Sequence, residues 1–401
     1  MNTIGIIAEY NPLHMGHAYQ LSYLAERWPQ ALRIVVMSGS FVQRGMPAFF
    51  SKYDRAYWAL LAGADIVIEL PSLFALGSAE IFSAGAMRLL AALGIDAFCF
   101  GSEVTNLDML TSIAEAANNA SVNERIRELL KSGHFYGAAL RQALLEIVPH
   151  ADEALNHPNA TLGIEYLRAI DTYGLSLLPI VIERQSDYNS TSLTESLPSA
   201  SALRNYLQAN PSTASLACYF PEDVLPSVEN ALSLGRYINM QRYYDMVHWQ
   251  SRILSTAELS QLTDFGEGLE NAWKKGASLP SWFLARHQLK SKRYSFSRLD
   301  RMAAYTVLRR SAALQKKAHQ HGPLYARLLG FTGAARDWLR GNDSTLPLIQ
   351  KWAPFVRHST GLVKDYVLAD MLATDIQHAC FTGEAVRLGD TDYRFTPHYL
   401  A

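Results

Sequence analysis

The chain has 401 residues and a formal net charge of -1; 49% of the residues are hydrophobic and 18% charged. That length allows roughly two or three domains; the composition excludes a disordered chain, and near-neutrality excludes binding a polyanion over the whole surface while leaving room for a local basic face. Three scattered cysteines (Cys99, Cys218, Cys380) give no zinc spacing, and with no signal-peptide pattern and no apolar run long enough to span a bilayer the expected location is cytoplasmic.

In chain order, the first predicted element is a strand over Thr3–Ala8, then a helix from about His14 to Glu26. A second strand, Leu32–Met37, leads into a loop with two glycines, Ser38–Pro47. A helix over about Lys52–Ala62 feeds a strand at Asp65–Leu70, which Pro71 ends. A helix over about Ala79–Leu93 precedes a strand at Ala97–Phe100, followed by Gly101-Ser102-Glu103. Short, continuous apolar strands belong to a parallel sheet covered on both faces. Regular strand–helix alternation implies right-handed βαβ units, hence a doubly wound, Rossmann-like α/β domain. Residues 107–150 read as mostly helical. Leu177–Ile182 reads as one more strand, which carries this domain to about residue 210. Beyond residue 240 strand signals fade and aromatic-rich helical spacing dominates, so residues 211–401 are expected to form a mostly α-helical domain. No repeat or low-complexity tract interrupts either part.

The chemistry begins at the first turn, His14-Met15-Gly16-His17. A helix starting there offers backbone N–H groups and a positive dipole end to an anion at the strand's carboxyl edge. Gly16 has no Cβ to obstruct a phosphate, and Pro12 stiffens the entry. His14 and His17 are three apart and share a helix face. Imidazoles there can donate to a triphosphate and stabilise charge growing on its α-phosphorus; two surface histidines on an ordinary helix would read the same way. In the next loop Arg44 is a candidate phosphate contact, with Lys52 and Arg55 on the helix that follows; a solvated helix face explains the latter two as well. Glu69 and Glu103 end strands, where a carboxylate can hold a ligand or cap a helix. Gly101 lets an adenine or ribose lie against the backbone. Asn159 reads either as a base contact or as a helix cap, Arg184 as a phosphate contact or a rim residue, and Ser199 as an anion site or a simple N-cap.

Together these pieces resemble the His-x-Gly-His nucleotidyltransferase superfamily and, within it, the tRNA(Met) cytidine acetate ligase family. The matching stretches are Gly5–His17, Met37–Gly45, Gly63–Pro71, Phe100–Glu103, Pro158-Asn159 with Gly163–Leu167, Arg184, Ser199–Arg204 and Ser291–Tyr294 with Arg298. They span most of residues 3–335, and the remainder matches weakly. Ala8 stands where a larger apolar residue is expected, and Ser201 replaces a threonine; neither change removes a reactive group. The resemblance implies that ATP lies along Ile7, Ala8, Glu9, Tyr10, Asn11, Pro12, His14, Gly16, His17 and Gln20, with Gly101, Asn159, Arg184 and Ser199 as further contacts, and that His14, His17, Arg44 and Lys52 are catalytic. It implies adenylation of acetate with release of pyrophosphate, then acetyl transfer to the wobble cytidine N4 of elongator tRNA(Met). Triphosphate chemistry usually recruits Mg2+, for which no ligand set is visible in the sequence.

Between Arg286 and Lys317 there are ten basic residues against one acid, Asp300, with Tyr294, Phe296 and Tyr305 interleaved. Cations follow an RNA backbone and aromatics stack an unpaired base; a basic helical surface over core aromatics has the same pattern. Lys290, Lys292, Arg293, Tyr294, Arg298 and Arg301 are the expected RNA contacts. Two other readings stay open. A small-molecule adenylyltransferase would leave the basic half idle, and a non-catalytic RNA-binding protein would not need intact His14, Gly16 and His17. A class I aminoacyl-tRNA synthetase would need a Lys-Met-Ser-Lys-Ser-type loop, and none is found.

Overall fold

A computed structural model describes residues 1–134, 136–184, 199–266 and 268–401. Of the polar stretch Ser186–Ser201, only Ser199–Ser201 falls within them. The first half follows the sequence reading: β1 (Thr3–Ala8), α1 (Met15–Arg27), β2 (Leu32–Ser38), α2 (Lys52–Leu61), β3 (Ile66–Leu70), a short α3 (Ser72–Ala75), α4 (Ala79–Ala92), β4 (Ala97–Ser102) and β5 (Leu178–Glu183). Between β4 and β5 the chain is helical, ending in the helix Pro158–Tyr173.

The strands form one sheet in the order β5-β4-β1-β2-β3, all parallel. β2 explains the continuous apolar runs. Ile34 and Val36 face one core, Val35 and Met37 the other, and all four are fully buried. Each such side chain contributes about 2 kcal/mol relative to exposure, so a strand covered on both sides cannot alternate with polar residues. One core takes in α1, α2 and helices of the C-terminal half; the other takes in α4 and the helix Pro158–Tyr173.

The expectation that strands end near residue 240 is corrected. β6 (Ala326–Thr332) pairs antiparallel with β3, and β7 (Leu348–Ile349) and β8 (His398–Leu400) both add to β6. Arg327 hid β6, because a charge interrupts its apolar run. Inside the sheet edge that charge is matched by Glu69 at 3.2 Å and by Asp392. The C-terminal half is otherwise helical, including Met240–Ile253, Trp282–Leu289, Phe296–Val307 and Gly361–Ala379.

Candidate functional site

β1 hands over to α1 through Tyr10, whose φ is 44°, and a cis Asn11–Pro12 peptide. His14 then caps α1. Its Nδ1 accepts the Gly16 amide at 3.1 Å, while the His17 Nδ1 accepts the His14 amide at 3.3 Å. This is a reciprocal capping box built from two imidazoles. The amides of His17 and Ala18 go to the His14 carbonyl. The amides of His14, Gly16, His17 and Ala18 are therefore engaged locally. An Nδ1 that accepts leaves its hydrogen on Nε2, so these bonds assign both rings the Nε2–H tautomer. Burial, then the charges of Arg184 and Arg204, pull the His14 pKa down to about 3. Burial, then His14 and Arg184, hold His17 well below its ordinary value. Both are neutral donors at physiological pH. Gly16 has a second use: a Cβ there would come within 2.9 Å of the His14 Cε1, so only glycine lets the capping ring fold back.

The surrounding residues are held by short polar contacts. Glu9 accepts the Gln43 amide at 2.9 Å, and the Asn11 side chain accepts the Phe49 amide at 2.7 Å. Arg204 donates to the Asn11 carbonyl and to the Ser201 hydroxyl. At the end of β4, a Cβ on Gly101 would meet the Arg184 Cγ at 3.0 Å, so glycine there admits the arginine stem. Glu103 caps the helix Pro158–Tyr173, accepting from the Asn159 amide nitrogen at 2.6 Å and from the Ala160 backbone at 3.0 Å. Ser199 caps the helix Ala200–Ala209 through the Ala202 amide.

Arg55 and Lys52 do not lie on a solvated helix face. The Arg55 guanidinium is buried and donates to the carbonyls of Glu9, Ser38 and Gly39, tying the first turn to the second loop. Lys52 is 0% exposed and is not brought to the histidines. Its Nζ lies 2.8 Å from Glu69 and 2.9 Å from Asp392, in a cluster that Arg327 completes. Burial pushes the Asp392 carboxyl up, but Arg327 and then Lys52 outweigh it and hold the group well below the usual range.

A cavity of about 610 Å³ opens beside the two histidines. Of the residues singled out in the sequence, Ile7, Ala8, Glu9, Tyr10, Asn11, His14, His17, Gln20, Arg44, Gly101, Asn159, Arg184 and Ser199 line it; Pro12, Gly16 and Lys52 do not. Ile238, Met240 and Tyr244, which carried no linear signal, also line it, as do Arg286, Phe296 and Asp300 from the basic stretch. The predicted RNA contacts divide. Lys290, Lys292 and Arg293 are exposed and Tyr294, Arg298 and Arg301 half-buried, with Arg298 stacked 4.9 Å over Tyr294. None of the six lines the cavity. Tyr305 and Arg310 are instead core residues, donating to the Leu76 carbonyl and to the Ser72 hydroxyl.

Among the described residues no three His, Cys, Asp or Glu side chains converge on one point. Of the carboxylates that line the cavity among the described residues, Glu9 holds the Gln43 amide and Asp300 holds Arg286. Among the described residues no helix is long and apolar enough to cross a membrane.

Comparison with known proteins matches residues 1–390 to the model of a family described as HIGH nucleotidyl transferase. A tRNA(Met) cytidine acetate ligase of Acetivibrio thermocellus is 32% identical over 98% of both chains. The protein of the same name from Thermoanaerobacter pseudethanolicus is 34% identical over 96% of this chain and 97% of its own. Among solved structures, apo TmcAL of Thermotoga maritima covers all of both chains with a TM-score of 0.94 and 28% identity. The same protein bound with alpha-thio ATP gives 0.91.

Proposed function

This chain belongs to the tRNA(Met) cytidine acetate ligase family within the HIGH nucleotidyl transferases, and on that ground we propose that it acetylates the wobble cytidine of elongator tRNA(Met) at the expense of ATP. The observation that carries the reading is the paired imidazole cap, which leaves two neutral rings, each with its hydrogen on Nε2, lining a cavity also bordered by Arg184, Arg204 and Arg44. A triphosphate along the Ile7–Gln20 turn meets three guanidinium groups and two neutral donors. Such a constellation neutralises charge on a pentacoordinate phosphorus without supplying a nucleophile of its own.

In the first step an acetate oxygen attacks the α-phosphorus. The new O–P bond forms as the bond to the α,β-bridging oxygen breaks, and pyrophosphate leaves with that electron pair. His14 and His17 hold the phosphate oxygens throughout; Asn159, oriented by Glu103, and the Gly101 edge receive the nucleoside. In the second step the cytidine N4 attacks the carbonyl carbon of acetyl adenylate and AMP departs. We assign nucleotide handling to residues 1–210 and tRNA contact to residues 211–401, with Lys290, Lys292 and Arg293 on the exposed basic stretch. The test is mass spectrometry of tRNA nucleosides after incubation with ATP, acetate and tRNA(Met), other carboxylates being run in parallel. N4-acetylcytidine with AMP and pyrophosphate is expected; unmodified cytidine under saturating acetate overturns the reading.

A further inference from the structure

Residues of the first turn, of the loop carrying Arg44 and of the helix Phe296–Val307 all line the cavity, and that loop is locked onto that helix. Gly45, in the loop that carries Arg44, has φ 93°; a Cβ there would lie 2.2 Å from the Arg301 amide nitrogen. The loop backbone thus rests directly on the backbone of Asp300 and Arg301. Phe296 and Asp300 are four apart, share a helix face and both line the cavity. Phe296 is half-buried, with the Arg286 guanidinium 4.2 Å from its ring centroid. The same guanidinium donates two hydrogens to Asp300, both at 2.6 Å. Arg286 therefore holds both a carboxylate and an aromatic ring, the ring being further fixed by the Lys290 Nζ at 5.6 Å and the His287 ring at 5.2 Å, beside residues of the nucleotide side.

We infer that the cytosine to be acetylated stacks on Phe296 and that Asp300 accepts a hydrogen from its exocyclic amine; this rests on the acetyl-transfer reading above. A flat ring beside a cation suits an unstacked base. A carboxylate is the acceptor complementary to a cytosine amine, and each Asp300 oxygen keeps a lone pair beyond its bond to Arg286. In the transfer step the amine nitrogen bonds to the acetyl carbon, the carbon–oxygen bond to phosphate breaks, AMP leaves with that pair, and the amine proton passes to Asp300. Burial raises the Asp300 carboxyl, which favours its taking the proton, while Arg286 keeps it from going further.

The test uses the full chain and an anticodon stem-loop carrying fluorescent pyrrolocytosine in place of the target base. Wild type should change the base emission on binding. Phe296→Ala should lose at least half of that change with RNA affinity altered less than threefold, and Phe296→Tyr should restore it. In the tRNA reaction Phe296→Ala and Asp300→Asn should lower the transfer rate at least tenfold, Asp300→Asn through kcat rather than the KM for tRNA. Acetate-dependent ATP–pyrophosphate exchange in each variant reports on fold and on the first step separately. Full emission change and transfer within twofold in Phe296→Ala overturn the inference, as does a parallel loss of exchange and transfer in that variant. Absence of exchange in wild type overturns the acetate-activation reading, while the emission arm still decides where the base stacks.

Discussion

The His14 backbone amide fixes the tautomer of the His17 ring, as the Gly16 amide fixes that of the His14 ring. The His14 amide reaches the His17 ring at 3.3 Å, and the ring centroids are 3.9 Å apart. Removing either ring loses a donor and the ring contact, while the other keeps its backbone hydrogen bond. His17→Ala should lower acetate-dependent pyrophosphate release by about 10²–10³-fold, the cost of one preorganised donor on a developing charge. Binding of tRNA, measured by filter retention, should stay within a few-fold of wild type.

Stability should fall on the acid side through the same pair. Both histidines titrate below their ordinary value of 6.5 in the folded chain, His14 at about 3. The unfolded chain therefore binds more protons between pH 6.5 and pH 3. Stability is full above pH 6.5 and is lost as the pH drops, by up to about 1.4 kcal/mol per pH unit for each histidine. Urea midpoints at pH 7, 6 and 5 should show this slope. His14→Asn keeps a capping side chain and should flatten it; an unchanged slope would remove His14 as its source.

Gly45→Ala should destabilise the chain by about 2 kcal/mol or more. The left-handed φ costs a non-glycine residue roughly 1–2 kcal/mol, and the added Cβ strikes backbone, which cannot swing aside. A lowered Tm checks the energy. Gly94→Ala is the control, with φ 70° and nothing within 4 Å of its Cβ, and should cost only the conformational part.

Lys52→Met should act on stability and leave the nucleotide affinity of the folded protein alone. It strands Glu69 and Asp392 beside Arg327 with one positive charge missing. Breaking a buried ion cluster in this way costs about 3–5 kcal/mol. Denaturant unfolding should show that loss, and calorimetric ATP titration below the unfolding temperature should give a Kd within threefold of wild type. A weakened Kd at full stability would return Lys52 to the phosphate site.

What the sequence made legible follows from how local each signal is. The strands β1–β5 and the helices α1, α2 and α4 announce themselves because apolar runs and helical spacing are written within a few residues. The turn His14–His17 is equally local. β6 was hidden because Arg327 has its partners Glu69 and Asp392 on other segments, and a charge reads as exposed until those are known. Lys52 misled for the same reason. Tyr305 and Arg310 share the basic, aromatic spelling of Tyr294 and Arg298, but the helix Phe296–Val307 and the turn after it aim them inward onto Leu76 and Ser72. Glu103 had two open roles, and only the position of Asn159 in space selects the cap.

The antiparallel seat of β6 against β3 bears on how the protein is made. Residues 66–69 of the central sheet hydrogen-bond to residues 327–331, so a nascent chain leaving the ribosome keeps one flank of β3 bare until most of its length has emerged. A fragment ending at residue 240 would expose that unpaired strand, an invitation to edge-to-edge association. Expression trials of such a fragment should yield aggregate rather than a miniature nucleotide-binding module.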